Sequence, residues 1–227
     1  MEEYRGNGSV RSRWGSVCSC ARDTVTLPRV VLIGGPPCVG KSAVARCIAA
    51  RYEYGCISTD DIAKAAGAVY GALVGRNLDP MAGMDWRAYF TETPADVLLD
   101  HDLASRERIW PAIDRIVRTH AGWGDPLVME GYALWPEQVM GAGFTNTGAV
   151  WLSGDDRLLE SRIRSNPGFY RGAADEEALI CSFMRRSSRY NERMLASAAE
   201  CGAAVIRVLP GQTVNQIADL CVLALSR

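Results

Sequence analysis

A chain of 227 residues, 48% hydrophobic and 22% charged, has the balance of an ordinary globular protein with room for one sizeable core. Its formal net charge of −1 creates no field that would draw it to nucleic acid or to an anionic membrane, so neither is expected as a partner. No apolar stretch reaches bilayer-spanning length and residues 1–24 lack the apolar segment of a secretory signal, so a cytoplasmic location is expected.

Residues 1–27 are rich in Gly, Ser and Arg without sustained periodicity, and read as a flexible tail ahead of one domain over 28–227. Cys18 and Cys20 form a Cys-Ser-Cys pair in that tail, with no neighbouring Cys or His pair to complete a zinc site. The spacing of all eight cysteines suggests no disulfide framework; Cys47, Cys181 and Cys221 fall on apolar faces of expected helices, as small hydrophobes do.

Arg29–Ile33 is a short apolar, β-branched run of the kind that forms a buried parallel strand. A helix follows over about 41–52, with Val44, Cys47 and Ile48 on one face. Cys56–Ser58 reads as a second strand and 62–73 as a helix. Residues 74–95, rich in Gly, Pro and Asp, read as an insertion covering a substrate. A helix over 95–120 carries Val97, Leu98, Ile109, Ile113 and Ile116 inward, and Leu127–Met129 is a third strand.

Ala149–Leu152 is a fourth strand, 155–164 a helix, and 166–172 a break containing Pro167 and two glycines. The spacing of Leu179, Phe183, Tyr190 and Met194 predicts a long helix over 175–201. Ala204–Val208 is a fifth strand. Thr213 and Gln216 then form a capping box for a last helix, with Val214, Ile217, Leu220 and Cys221 inward. Short buried strands alternating with amphipathic helices imply an α/β fold: three layers, a five-stranded parallel sheet and helices on both faces.

Between the first strand and the first helix, Gly35-x-x-x-x-Gly40-Lys41-Ser42 matches the Walker A pattern in full. Glycines there let backbone N–H groups wrap phosphate oxygens, and the helix N-terminus adds a partial positive charge. Gly35, Pro36, Pro37, Cys38, Val39, Gly40, Lys41, Ser42 and Ala43 are the expected ATP-binding residues, with Lys41 bridging the β- and γ-phosphates and Ser42 ligating Mg²⁺. Lysine is scarce in this chain, occurring only at 41 and 64, so one at the motif position carries weight.

With Ser58-Thr59-Asp60-Asp61-Ile62, Met129-Glu130-Gly131 and the arginine-rich segment after Asp155, this loop resembles the P-loop kinases of small molecules, most of all those described as 2-phosphoglycerate-kinase-like or AAA-type P-loop kinases. The resemblance extends from about residue 29 to the C-terminus, and residues 74–125, where a substrate would be selected, match none of these motifs. It implies a P-loop NTPase fold with an arginine-rich lid over 155–193, and ATP and Mg²⁺ as cofactors. It further implies a role for an aspartate after the second strand, which orients the acceptor hydroxyl. Asp60 matches that position, with Asp61 as helix cap and acceptor-side neighbour. Glu130 stands where a Walker B acid, usually aspartate, holds Mg²⁺ through water. Tyr132 and Trp135 are either walls of the acceptor site or ordinary core aromatics.

Lid arginines in such kinases gather the charge of the departing phosphate. Arg162 and Arg164 are the expected lid residues. Arg171, Arg185 and Arg189 are the next candidates for contact with phosphate or an acidic substrate. The same arginines alternate with acidic residues, so salt-bridged helix faces are the competing reading. The loop over 210–213 occupies the position from which such kinases contact adenine through their backbone. His101 and His120 have no catalytic pairing. The resulting expectation is an ATP-dependent phosphotransferase acting on a hydroxyl of a small-molecule acceptor such as a metabolite, nucleoside or natural product. The alternative is a P-loop NTPase acting as a hydrolytic switch or nucleotide-binding module; a homodimer is compatible with either.

Overall fold

Within the first strand, successive residues bury on opposite faces of the sheet, and this alternation sorts the whole core. The computed structural model describes residues 26–75 and 85–226. β1 (Val30–Gly34) is buried throughout; β2 is Gly55–Ser58, β3 Leu127–Glu130, β4 Thr147–Ser153 and β5 Val205–Arg207. All pairings are parallel and the strand order is β2-β3-β1-β4-β5. The expected three-layer α/β architecture with a five-stranded parallel sheet is what forms.

Val31 and Ile33 point to one face, where Val44 and Ile48 of α1 (Lys41–Tyr52) meet Ile217 and Cys221 of α9 (Val214–Leu225). Val30 and Leu32 point to the other, against Ile109 and Ile113 of α4 (Ala95–Gly122) and Tyr190 and Met194 of α8 (Glu176–Cys201). Trp151 is wholly buried in this second layer and donates its indole N–H to the Leu134 carbonyl at 2.7 Å. The remaining helices are α2 (Thr59–Leu73), α3 (Trp86–Glu92), α5 (Pro136–Gly141), α6 (Asp156–Arg164) and α7 (Pro167–Tyr170).

Several expectations are corrected. Val97, Val214 and Leu220, expected inward, are 41%, 40% and 37% exposed. Each of the two helices concerned, α4 and α9, buries a narrower stripe than its apolar pattern suggests. The 74–95 segment contains α3, started by the Asp85 side chain accepting from the Arg87 N–H at 2.9 Å; residues 76–84 lie outside the described residues. The 166–172 break contains the single turn α7 with Pro167 in its first turn. α5 was not anticipated, although Pro136 at its start and Glu137 in its first turn are ordinary N-terminal signals. The capping box forms as expected: Gln216 N–H donates to Thr213 Oγ1, and Thr213 N–H to Gln216 Oε1.

Cys38, Cys47, Cys56, Cys181, Cys201 and Cys221 are free thiols, and Cys221 is the buried one. Cys18 and Cys20, with the tail up to residue 25, lie outside the described residues. No helix among the described residues is long and apolar enough to cross a membrane.

Candidate active site

The parallel register brings three chain segments to one edge of the sheet. Ile33 and Ser58 both pair with Glu130, so the loop after β1, the start of α2 and the end of β3 lie side by side at the strands' carboxyl ends. The loop backbone alternates into the left-handed region, with φ 135° at Gly35, 61° at Cys38 and 102° at Gly40. Left-handed residues set among right-handed ones are the backbone pattern from which anion nests are built. At Gly35 a Cβ would lie 2.3 Å from the Leu152 carbonyl oxygen, so the close approach of loop to β4 admits only glycine.

Lys41 is 9% exposed and its ammonium donates to the Pro36 carbonyl at 2.7 Å, folding the side chain over the loop. Burial lowers its pKa, while the charges of Glu130, Asp60 and Cys38 favour protonation and that of Arg186 opposes it. Ser42 Oγ donates to Glu130 Oε1 at 3.0 Å, and Glu130 is 6% exposed. A serine hydroxyl and a carboxylate meeting beside a phosphate nest are the hard oxygen donors suited to Mg²⁺. Among the described residues no three His, Cys, Asp or Glu side chains converge on a metal site. The arrangement therefore suits a cation shared with a bound triphosphate, since Mg²⁺ takes few protein ligands and keeps substrate and water oxygens.

At the start of α2 the Ser58 side chain caps the helix, accepting from the Asp60 N–H at 3.2 Å. The cap expected at Asp61 is thus corrected: both aspartates sit inside the first turn. Asp60 is exposed at the mouth of the site, within electrostatic reach of Lys41, Asp102 and Tyr132. Gly131 has φ 150°, and a Cβ there would stand 1.8 Å from Thr59 Oγ1, so glycine is what lets the ends of β2 and β3 close up.

Opposite Asp60, α4 contributes Asp102 and Ser105. The hydroxyls of Ser105 and Tyr132 are 3.1 Å apart. Burial raises the Asp102 pKa; Arg186 pulls it back and the like charge of Asp60 pushes it further up. Tyr132 is half-buried, packed against the core with its hydroxyl at Ser105. Trp135 is a core aromatic, 8% exposed and edge-on to Tyr190. His101 Nδ1 lies 2.6 Å from the Tyr89 hydroxyl and His120 Nδ1 2.6 Å from the Asp125 carbonyl, both locally satisfied.

The arginines divide by helical phase. Arg162 on α6 reaches the nucleotide loop, its Nη1 donating to the carbonyls of Val39 at 2.5 Å and Cys38 at 3.3 Å. Arg164 instead pairs on the surface with Glu160 at 2.9 Å and Glu177 at 2.6 Å, the salt-bridged face that alternating charge suggested. Arg171, Arg185 and Arg189 are exposed, and Arg189 has only a 4.0 Å contact with Asp96. The inward residue is Arg186. Its side chain is 11% exposed, 3.7 Å from Asp102, and within electrostatic reach of Lys41 and Cys38. Sequence reasoning missed Arg186 and Asp102. The buried stripe Ser182, Phe183, Ser187 and Tyr190 marks Arg186 as lying on the inward side of α8, whereas 185 and 189 lie outside it.

Cys38 packs with Phe169, Tyr170 and Met184 on a small cluster of Ile163, Ile180 and Phe183, joining the nucleotide loop to α6, α7 and α8. Its thiol pKa is raised by burial against the pull of Lys41, Arg162 and Arg186, so it packs as a neutral group.

No protein-family model matches the chain, and no curated protein matches its sequence. Solved structures do resemble it. TT1252 from Thermus thermophilus aligns with TM-score 0.50 and 15% identity over 88% of this chain and 98% of that one. A gluconokinase from Sinorhizobium meliloti 1021 aligns with TM-score 0.49 and 16% identity, over 88% and 93% of the two chains. A shikimate kinase from Bacteroides thetaiotaomicron gives 0.46 and 10%, over 86% and 94%. At such identities the likeness is one of fold alone.

Proposed function

We propose that this protein is an ATP-dependent phosphotransferase that moves the γ-phosphoryl group onto a hydroxyl of a small-molecule acceptor. One observation carries the reading: the carboxylate of Asp60 lies in the field of Lys41, on the side of the nucleotide loop where Asp102, Ser105 and Tyr132 form a second polar wall. A nucleotide cradle alone has no use for that wall, whereas an acceptor needs hydrogen-bond partners held beside the phosphate.

The loop amides and Lys41 hold the triphosphate. Ser42 and Glu130 hold Mg²⁺, which when bound neutralises charge on the phosphates. Asp60 accepts the hydroxyl proton as the acceptor oxygen attacks. Arg186 faces the oxygens of the group in transit, and Arg162 keeps the Cys38–Val39 turn in shape. A 2-phosphoglycerate acceptor rests on motif resemblance alone; a metabolite, nucleoside or natural product bearing a free hydroxyl meets the same chemistry.

The test is to incubate purified protein with MgATP and a panel of hydroxylated acceptors, following ADP release and the mass of each acceptor. An acceptor that gains a phosphate and accelerates ADP release, with both effects lost in Lys41→Ala, supports the proposal. ADP release at one rate whatever the panel member, with no acceptor gaining a phosphate, would instead identify a hydrolytic switch.

A further inference from the structure

α3 packs against α8 and supplies one wall around an enclosed arginine of the site. The Arg186 guanidinium carbon is 4.8 Å from the Phe90 ring centroid on α3 and 5.1 Å from that of Phe183. Among the described residues its one ion-pairing partner, Asp102, is 3.7 Å away, beyond hydrogen-bonding distance. Among the described residues its buried Nε has no hydrogen-bond partner.

A guanidinium in this state is fixed in plane by the two rings and left with unspent N–H donors. Phe183 sits three residues before Arg186 on the same helix and travels with it. Phe90 is the wall contributed from outside α8, and α3 itself is braced against α7 by Trp86 on Phe169, with centroids 5.4 Å apart. Phe169 continues the contact to Phe183 at 4.6 Å.

We propose that Phe90 is a positioning residue for phosphoryl transfer: by stacking on Arg186 it holds the guanidinium toward the nucleotide loop, so that docking of α3 on α8 arms the site. This rests on the phosphotransferase reading in taking Arg186 to face the transferring phosphate. It does not depend on which acceptor is used. Arginine is required because a lysine ammonium has no plane for the rings to fix. The acceptor wall and α3 thereby act on the same guanidinium, Asp102 from one side and Phe90 from the other.

The experiment measures slow ATP hydrolysis without acceptor, with Lys41→Ala as the blank, so its outcome is separate from whether any acceptor gains a phosphate. Arg186→Lys is expected to lower kcat by about 10²-fold or more, less than the about 10³-fold to 10⁵-fold that such an arginine can supply because lysine keeps the charge. Phe90→Leu should lower kcat by about tenfold with KM for ATP nearly unchanged, the signature of an interaction made in the transition state. Phe90→Tyr should restore the rate, and Phe90→Leu combined with Arg186→Lys should be no slower than Arg186→Lys alone. Full activity in Phe90→Leu, a loss confined to KM, or losses that multiply in the double variant each overturn the proposal. Because Leu keeps the site apolar on a peripheral helix, an unchanged melting temperature separates lost positioning from lost folding, and Phe90→Met provides a second stable replacement.

Discussion

Ser42 Oγ donates a hydrogen bond to Glu130 Oε1 at 3.0 Å, joining the first turn of α1 to the end of β3. The pair places a hydroxyl and a carboxylate where a phosphate-bound cation would need them. Ser42 would offer such a cation its hydroxyl oxygen and Glu130 would hold it through water, and the cation would neutralise charge on the phosphates. Glu130→Gln keeps the shape and removes the charge. It should raise the Mg²⁺ concentration for half-maximal turnover by about 10-fold to 100-fold, the usual cost of losing an outer-sphere partner. Turnover titrated with Mg²⁺ at fixed ATP checks this; an unchanged midpoint would remove Glu130 from the metal shell.

The two aspartates of α2 are separated by their place in the turn rather than by capping, which Ser58 performs. Asp60 is within reach of both Lys41 and Asp102. Asp60→Asn should cut acceptor-dependent turnover by about 10²-fold or more while ATP affinity measured by calorimetry stays close to wild type. Asp61→Asn should leave most of the turnover. The reverse pattern would move the acceptor base to Asp61.

How much of this was legible beforehand depends on what kind of signal each part leaves. The nucleotide loop was readable because its chemistry fixes residue type at fixed spacing: Gly35, Gly40, Lys41 and Ser42 have few substitutes. Strands were readable because burial on both faces demands unbroken apolar runs such as Val30–Ile33. Asp102 was not readable, because one aspartate among the charges of a 28-residue helix carries no mark of which face it occupies. Arg186 sits beside Arg185 in an arginine-rich helix, and only the helical phase of its buried neighbours distinguishes the two. The strand order and register that set Glu130 against both Ile33 and Ser58 are long-range facts that no local pattern records.

Asp102 gives the fold a pH dependence whose sign can be worked out. Burial, reinforced by the like charge of Asp60, raises its pKa above the ordinary carboxylate value, against the pull of Arg186. The folded state therefore holds this proton more tightly than the unfolded chain. The stability it contributes is fully present below the unfolded value of about 3.9 and is lost as pH rises through the folded value. Asp102→Asn removes that slope. Urea unfolding from pH 4 to pH 7 should show the variant's stability relative to wild type increasing with pH, whatever constant offset comes from the lost contact with Arg186. A relative stability that falls across this interval would mean that ion pairing with Arg186 outweighs burial.

Arg162 and Arg164 lie two residues apart on α6 and their substitutions should part company. Arg162 is half-buried and donates to two carbonyls of the nucleotide loop, beside Cys38, whose φ of 61° is already in the left-handed region. Without that brace the turn loses the contact that offsets its backbone strain, and the amides that wrap phosphate lose alignment. Arg162→Ala should weaken ATP binding by about 10-fold, as expected for loss of one or two hydrogen bonds from a charged group. Arg164 spends its donors on Glu160 and Glu177 at the surface, where solvent and salt screen the pair. Arg164→Ala should leave both ATP affinity and turnover near wild type. Calorimetric titration of the two variants with MgATP decides the matter. Equal losses would show that α6 closes on the nucleotide with Arg164 released from its acidic partners, whereas loss at Arg162 alone fixes its role as the brace of the loop.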